Sequence, residues 1–496
     1  MLKTVFVAPD PGRTRLRFAA RALLGIGLAV CVCALAGLSL AGIVTGGLAA
    51  LLALFTVADP TVRRQTITTA LLPAVGLPVL AVAAELHDHP VARDLAFLAV
   101  VGAGVYARRW GPRGHSLGVF AFMTFFVAQF LHATFGRLAE LSAAVVLSLL
   151  SAAAVRFGVW CYEDRLPPAP VPAAPPGRGL ARVTTRQAVQ ATAGAGFALL
   201  VGQLVSGQRW YWAVGATWWI FVNTASRGET LVRGFRRVLG TLIGIGLGLL
   251  VAVPVHGAAA PTAVLLAACV FGIFYTAAVS YTWMMLCVTL LAELLYGLLG
   301  VLTPGLLALR LTETGVGALG AALAVLFVLP VTTHTTTDGW IQRALRCVHS
   351  CTAEAAARLA GVPDADPASR VAELEQLLGR VRLSVAPLVH PLNPMVGRKR
   401  RARRVLALLD DCAREIRGLA AVATDPEASH DARLAAACWR VEAAVEALTG
   451  DGDHPATPGQ DPAGSGALAH LHGLERALAE LSTPLRAPSR SPLVGS

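Results

Sequence analysis

Arg310-Leu311-Thr312-Glu313 opens the last long apolar stretch of the chain, and Arg137-Leu138-Ala139-Glu140 opens a corresponding stretch in the first half. Arg63-Arg64 recurs as Arg236-Arg237 at a similar offset. These pairs indicate an internal duplication. Duplicated sets of membrane helices with ionisable residues inside them are typical of transporters, in which the binding site lies between the repeats. The repeated stretches 137–140 and 310–313 therefore indicate that the protein is a transporter.

The composition is that of a polytopic membrane protein. Of the 496 residues, 55% are hydrophobic and only 15% are charged, whereas a soluble domain carries roughly 25% charged residues. Several apolar runs reach about 18 to 22 residues, enough to cross a hydrocarbon core of about 30 Å. We predict an all-α membrane protein with about twelve transmembrane helices in two parallel six-helix repeats, followed by a C-terminal cytoplasmic helical domain.

Twelve apolar segments divide evenly about a Pro-rich cytoplasmic linker at 163–182. The segments of the first repeat, residues 1–162, are predicted at 19–38, 40–58, 66–84, 94–109, 115–133 and 137–160. The segments of the second repeat, residues 183–331, are predicted at 186–206, 209–225, 236–255, 260–279, 282–302 and 306–330. Because each repeat has an even number of spans, both repeats start and end on the same side of the membrane, which makes them parallel.

The net charge of +12 lies in the apolar part of the chain. From Thr332 onward the positive and negative residues balance, whereas the earlier cations cluster in alternate loops, such as Arg63-Arg64 and Arg108-Arg109. The positive-inside rule makes those loops cytoplasmic. We therefore expect a multi-pass protein of a bacterial plasma membrane with both termini in the cytoplasm, and no nucleic-acid partner.

The C-terminal part, residues 332–496, has helical periodicity in five segments and then a flexible tail. The segments are predicted near 338–361, 367–389, 398–423, 429–449 and 466–482. Within them, the basic run at 398–404 is interpreted as a solvated helix start or a contact with the inner leaflet.

The sequence gives no support for a metal, a cofactor or an enzymatic reaction. Cys347-Val348-His349-Ser350-Cys351 resembles a metal cluster, but on a helix the histidine points about 200° away from the two cysteines. The nine cysteines are scattered and do not suggest a disulfide framework. No HExxH, Walker A or nucleophile-elbow motif is present. We expect a protein that is not an enzyme.

Glu293 is the most informative ionisable residue inside an apolar segment. It lies about ten residues into the predicted segment 282–302, which suggests a position near the bilayer midplane. A charge there costs about 2.5 to 3.5 kcal/mol and needs a partner or a watery cavity. Its counterpart in the first half is Gln129. Two interpretations stay open: a proton carrier for transport, or a structural interhelical hydrogen bond.

Arg310 and Glu313, like Arg137 and Glu140, are three residues apart and share one helical face. One interpretation is an internal ion pair. The other is a bidentate arginine site for a carboxylate, which the glutamate neutralises when the site is empty. Both interpretations predict that the side chains face a central pathway.

Aromatic residues are densest between Arg209 and Trp219. Trp210 and Trp212 are interpreted as anchors at the membrane interface. Trp218, Trp219 and Asn223 lie deeper and are candidates to line a pocket that stacks on an aromatic substrate. Gly240, Gly244 and Gly248 then predict a helix face for close packing.

The chain resembles the fusaric acid resistance-like family of membrane transporters at three stretches: 186–191, 211–219 and 234–244. The resemblance is strongest over about 180–330 and weaker over 15–160. The family is related to the aromatic acid exporters and, more distantly, to plant aluminium-activated malate channels. It implies efflux of organic, often aromatic, carboxylic acids, with protons as a candidate driving ion. The Pro-rich linker of this chain stands where a large soluble domain would separate the halves.

These features lead to an exporter of small organic anions as the first hypothesis. One alternative is a passive anion channel gated by the cytoplasmic helices. Another is a non-transporting membrane scaffold whose cytoplasmic domain binds envelope-synthesis partners. Self-association of the chain into a homo-oligomer is left open.

Overall fold

The computed structural model describes residues 13–160, 179–222, 224, 226–255, 258–329, 333–362, 364–389, 396–423, 432–449 and 466–486. Within these ranges every regular element is a helix, which confirms the all-α prediction. The described residues up to 329 form one compact unit, and those from 333 onward form another.

Six α-helices make up the first half of the membrane unit, joined by short turns. They are α1 (Thr14–Leu35), α2 (Leu40–Thr56), α3 (Val62–Glu85), α4 (Pro90–Tyr106), α5 (Gly111–Phe130) and α6 (Leu138–Trp160). Ser39 and Thr61 start α2 and α3, because their hydroxyl oxygens accept hydrogen bonds from the backbone N–H groups of Gly42 and Arg64.

Six more α-helices form the second half. They are α7 (Val183–Val205), α8 (Tyr211–Phe221), α9 (Arg227–Val255), α10 (Ala259–Thr276), α11 (Tyr281–Leu298) and α12 (Pro304–Phe327). Thr303 caps α12 by accepting a hydrogen bond from Leu306 N, and Pro304 takes the first position, where its missing N–H costs nothing.

Nine segments of the described chain are long and apolar enough to cross a membrane. One of them, Pro90–Phe130, contains both α4 and α5, whereas α2 has 17 residues and α8 only 11. These lengths support a multi-pass membrane protein.

Helices α4 and α5 form a hairpin, and they cross in close contact at Gly104 and Gly118. Gly111 has a φ of 77° at the turn, a conformation that favours glycine. A Cβ on Gly118 would overlap the carbonyl oxygen of Gly104, and a Cβ on Gly104 would come within 2.6 Å of the Trp218 ring. Backbone contact of this kind is available only to residues without a side chain.

Helix packing ties the two halves into one unit. In the first half, α6 packs against α1, α2 and α3, and α5 packs against α3 and α4. In the second half, α12 packs against α7, α8 and α9, and α11 packs against α9 and α10. The most extensive contacts between the halves are those of α4 with α7 and of α10 with α1, and α5 also packs against α8. One continuous apolar core runs through these helices.

Half-buried arginines donate to carbonyl groups at the ends of α2 and α8. Arg156 donates to the carbonyl oxygens of Ala53, Leu54 and Val57 at distances of 3.0, 3.1 and 2.8 Å, at the end of α2. Arg108 does the same for Phe221, at 3.3 Å, at the end of α8. A cation at these positions is favourable, because the last turn of a helix carries carbonyl groups with few intrahelical partners and the negative end of the helix dipole.

The described residues of the C-terminal unit form five α-helices with their own apolar core. They are α13 (Thr333–Leu359), α14 (Pro367–Val389), α15 (Val396–Val422), α16 (Ala432–Thr449) and α17 (Ala467–Arg486). The basic run at 398–404 lies in the first turns of α15, where Arg404 forms an ion pair with Glu480 of α17. Cys347, Cys351 and Cys412 are buried in the core, and burial raises the pKa of Cys412 to about 12.

Gly118→Ala is expected to destabilise the membrane unit by about 1–3 kcal/mol, because the added methyl group has to separate two helix backbones. Gly27→Ala is the matched control: Gly27 also lies inside a helix, but a Cβ there meets no atom within 4 Å. The measurement is the free energy of unfolding in detergent, followed by circular dichroism. Equal effects of the two substitutions would contradict the crossing described above.

Candidate functional site

A cavity of about 130 Å³ lies between the two halves of the membrane unit. Four helices form most of its wall, α2 and α5 from the first half and α8 and α11 from the second. Apart from Arg237 and Arg310, its lining side chains are apolar or aromatic. They include Leu51, Phe55, Met123, Phe126, Trp212, Trp219, Met285 and Leu291. A benzene molecule fills a cavity of about 150 Å³ in an engineered protein, so this space suits a single small ring.

Arg310 lies in the wall of the cavity. It is only 5% exposed, and its guanidinium carbon stands 4.1 Å from the centroid of the Trp212 ring. Stacking on an indole stabilises a cation, but it leaves the N–H groups in the guanidinium plane free to donate. One terminal nitrogen, Nη1, is buried and has no hydrogen-bond partner. Arg310 can therefore donate to an anionic group that enters the cavity.

Two carboxylates lie near Arg310 without pairing with it. Glu293 is 0% and Glu313 is 1% exposed. Both oxygens of Glu293 and the Oε1 of Glu313 have no hydrogen-bond partner. Among the described residues, no nitrogen–oxygen separation of 4.0 Å or less joins either carboxylate to an arginine. The ion pair that one interpretation expected between Arg310 and Glu313 is not formed.

Glu293 lies closer to the end of its helix than its position in the predicted segment suggested. Since α11 ends at Leu298, Glu293 is five residues, or about 7.5 Å, from that end. Its side chain fits between α9 and α11, where a Cβ on Gly248 would overlap the carboxylate. Gly244 meets Thr289 in the same way, so the predicted close-packing glycine face is present in the structure.

Arg237 lines the cavity from α9 and was not predicted as a site residue. It is 5% exposed and donates to the Tyr281 hydroxyl at 3.3 Å and to the Met285 sulfur at 3.4 Å. The predicted segment begins at residue 236, immediately before Arg237, but α9 begins at Arg227, ten residues earlier than Arg237. The signal that could have found it is its spacing of three from Gly240, which puts both residues on the packed face of α9.

The adjacent tryptophans of α8 have different environments. Trp219 lines the cavity. Trp218 is 1% exposed and stacks on Phe122 at a centroid distance of 4.3 Å, so it belongs to the packing core. Trp212, which was interpreted as an interfacial anchor, also lines the cavity. Asn223 lies outside the described residues.

The polar candidates of the first half do not line the cavity. Gln129 is 6% exposed but is absent from the cavity lining. Arg137 is exposed, and Glu140 is partly exposed and accepts a hydrogen bond from Ser39 N at 2.7 Å. The structure therefore brings Arg310, Glu293 and Glu313 into one region and leaves these three residues outside it.

The turns that precede the repeated stretches 137–140 and 310–313 are alike, and their positions explain why the two stretches differ in burial. A residue with positive φ follows α5 and α11, His132 at 49° and Gly300 at 69°. An extended threonine then precedes the next helical segment, Thr134 and Thr303 respectively. Arg137 follows its threonine by three positions, whereas Arg310 follows by seven. Arg310 is thus about one helical turn deeper.

The same turns change the assignment of a counterpart to Glu293. Seven positions before Gly300 stands Glu293, and seven positions before His132 stands Phe125, not Gln129. Phe125 is 0% exposed and stacks on Phe97 at 4.8 Å. The carboxylate at this level is therefore matched by a packed phenyl ring in the first half.

Residues 197–326 match the family model described as fusaric acid resistance protein-like. The family resemblance is confirmed for this segment. It runs from α7 to α12 and contains Trp212, Arg237, Glu293 and Arg310. No curated protein and no solved structure gives a significant match.

Trp219→Leu is expected to weaken binding of an aromatic anion by about tenfold, because the substitution removes a ring from the cavity wall. Its effect on stability should be small, about 1 kcal/mol or less. Trp218→Leu should instead lower the free energy of unfolding by about 3 kcal/mol, since it leaves a void beside Phe122. Thermal unfolding and ligand titration of both variants separate these roles. Equal loss of stability in the two variants would contradict this assignment.

Proposed function

We propose that the chain is an integral membrane transporter that exports small organic anions, in particular aromatic carboxylates, across a bacterial plasma membrane. The observation that carries the proposal is the buried guanidinium of Arg310, with an unpartnered nitrogen, in the wall of an apolar cavity of about 130 Å³. A transporter of this kind needs no cofactor, and we propose no enzymatic activity.

The chemistry of the cavity matches the two parts of an aromatic carboxylate. Apolar side chains such as Phe126 and Leu291 suit the ring, while Arg310 offers donors to the carboxylate. Arginine is the side chain best suited to bind a planar carboxylate, because its N–H groups form a fork. An interior-negative potential favours outward movement of an anion by about 2.3 kcal/mol per charge per 100 mV.

Twelve membrane crossings in two parallel repeats are part of the proposal. Its support is that α12 packs against the first three helices of its half, as α6 does, and that α11 packs against the third and fourth, as α5 does. The cavity is walled by the second and fifth helices of each half. Such a site between repeats is typical of transporters. Both termini and the C-terminal helical unit are then cytoplasmic.

Glu293 and Glu313 are the proposed residues for proton coupling. Both are buried carboxylates without hydrogen bonds on at least one oxygen. Gln129, Arg137 and Glu140 have no part in the proposed binding cavity. A passive channel is the rival for the same cavity, and steady single-channel currents in planar bilayers without a proton gradient would identify it.

Arg310→Gln is expected to reduce transport of benzoate at least tenfold, because a buried charge-assisted contact to a ligand is worth about 2–5 kcal/mol. Arg137→Gln is the same change in the exposed stretch 137–140 and should alter benzoate transport by less than about threefold. Uptake of radiolabelled benzoate into proteoliposomes, with protein amounts matched, provides the measurement. Unchanged transport in the Arg310 variant would refute the proposed role.

A further inference from the structure

Arg310 lines the cavity, whereas Glu293 and Glu313 do not. Both carboxylates nevertheless lie within electrostatic range of Arg310, as does Arg237. The arginine therefore has two possible sources of negative charge, the protein's own carboxylates and an anion in the cavity.

Among the described residues, Arg310 is the cation within electrostatic range of Glu293, and the thiol of Cys269 is also within that range. On the α9 side the Glu293 carboxylate meets the bare backbone of Gly248. Since neither carboxylate oxygen has a hydrogen bond, the charge of Arg310 is the main support for the ionised form of Glu293.

Glu313 likewise has an oxygen without a hydrogen bond, and it too lies within electrostatic range of Arg310. Arg209 and the hydroxyls of Tyr211 and Tyr296 are within the same range. Arg209 donates to Tyr211 at 3.5 Å and lies over the ring of Tyr296 at 5.5 Å. Arg310 is thus shared by two carboxylates that are not bonded to it.

An anion in the cavity competes with these carboxylates for the same positive charge. When both are ionised, Arg310 is already compensated, and a further negative charge meets repulsion at short range in a medium of low dielectric constant. When one carboxylate takes up a proton, its negative charge disappears, and Arg310 is left to attract the anion. By thermodynamic linkage, a bound anion favours protonation to the same extent.

We propose that an organic anion and a proton bind this site cooperatively, the anion at Arg310 in the cavity and the proton at Glu293 or Glu313 behind it. The inference rests on the proposed function, in which Arg310 holds the anion. Proton and anion then move in the same direction and are not exchanged. A monovalent anion that travels with one proton carries no net charge, so the membrane potential, which favours export of an anion that crosses alone, does not drive this coupled movement. Export then requires an outward gradient of the anion that exceeds any inward gradient of protons.

The test is the binding of benzenesulfonate, an aromatic anion that stays ionised over the range studied, to the full-length protein in lipid nanodiscs. Titrations between about pH 5 and pH 8 should give affinity that rises as the pH falls, by up to tenfold per pH unit for one linked proton. Calorimetry in two buffers of different ionisation enthalpy should also show uptake of up to about one proton per bound anion.

Replacing both carboxylates identifies the proton site. The double variant Glu293→Gln, Glu313→Gln should bind at all pH values about as tightly as the native protein does at the lowest pH, and it should take up no proton. Glu85→Gln is the control for an exposed carboxylate. His132→Gln controls for histidine titration, since burial and the nearby Arg209 lower the pKa of His132. Both controls should keep the native pH dependence.

Affinity that is constant or falls as the pH is lowered, or a pH dependence that survives in the double variant, would overturn the inference and leave the proposed function standing. The calorimetric proton count on the native protein decides the matter even if the double variant does not fold. If neither benzenesulfonate nor benzoate binds at any pH, the proposed function itself is wrong.

Discussion

A guanidinium inside a helix bundle of a membrane protein has to be compensated, because an uncompensated charge away from water costs several kcal/mol. In this chain Arg310 is compensated without a direct ion pair. The Trp212 ring stacks on it at 4.1 Å, and Glu293 and Glu313 act on it from outside the cavity. This arrangement distinguishes Arg310 from Arg156, whose guanidinium donates to three carbonyl groups at the end of α2.

The helix packing maintains this arrangement. Glycines on α9 let α11 approach so closely that the carboxylate of Glu293 lies against the backbone of Gly248. On the other side, Thr217 donates a hydrogen bond to the carbonyl oxygen of Gly317 at 2.9 Å, which ties α8 to α12 one turn beyond Glu313. Close helix packing at Gly248 and Gly317 accompanies an apolar cavity that Arg310 lines. The described geometry is thus suited to binding an anion from the cavity side.

The sequence predicted the all-α class and placed most helix ends within about five residues of the observed ones, because the apolar runs are local signals. It also predicted the close packing at Gly240, Gly244 and Gly248. The depth of a residue along its helix was harder to predict, because it depends on where the helix begins. Arg137 and Arg310 have similar neighbours in the sequence but lie at different distances from Thr134 and Thr303. The direction of a side chain was also harder to predict. Trp218 and Trp219 are adjacent, yet successive residues of a helix differ by about 100°, and only tertiary contacts show which one faces the cavity.

A structure of the protein with bound 4-iodobenzoate would show whether Arg310 binds an anion in the cavity. We expect iodine density in the cavity between α2, α5, α8 and α11, with the carboxylate in hydrogen-bonding distance of the Arg310 guanidinium. The Arg310→Gln protein under the same conditions should show no density there. Iodine density at another site, or density in the cavity with its carboxylate directed away from Arg310 in the native protein, would contradict the account.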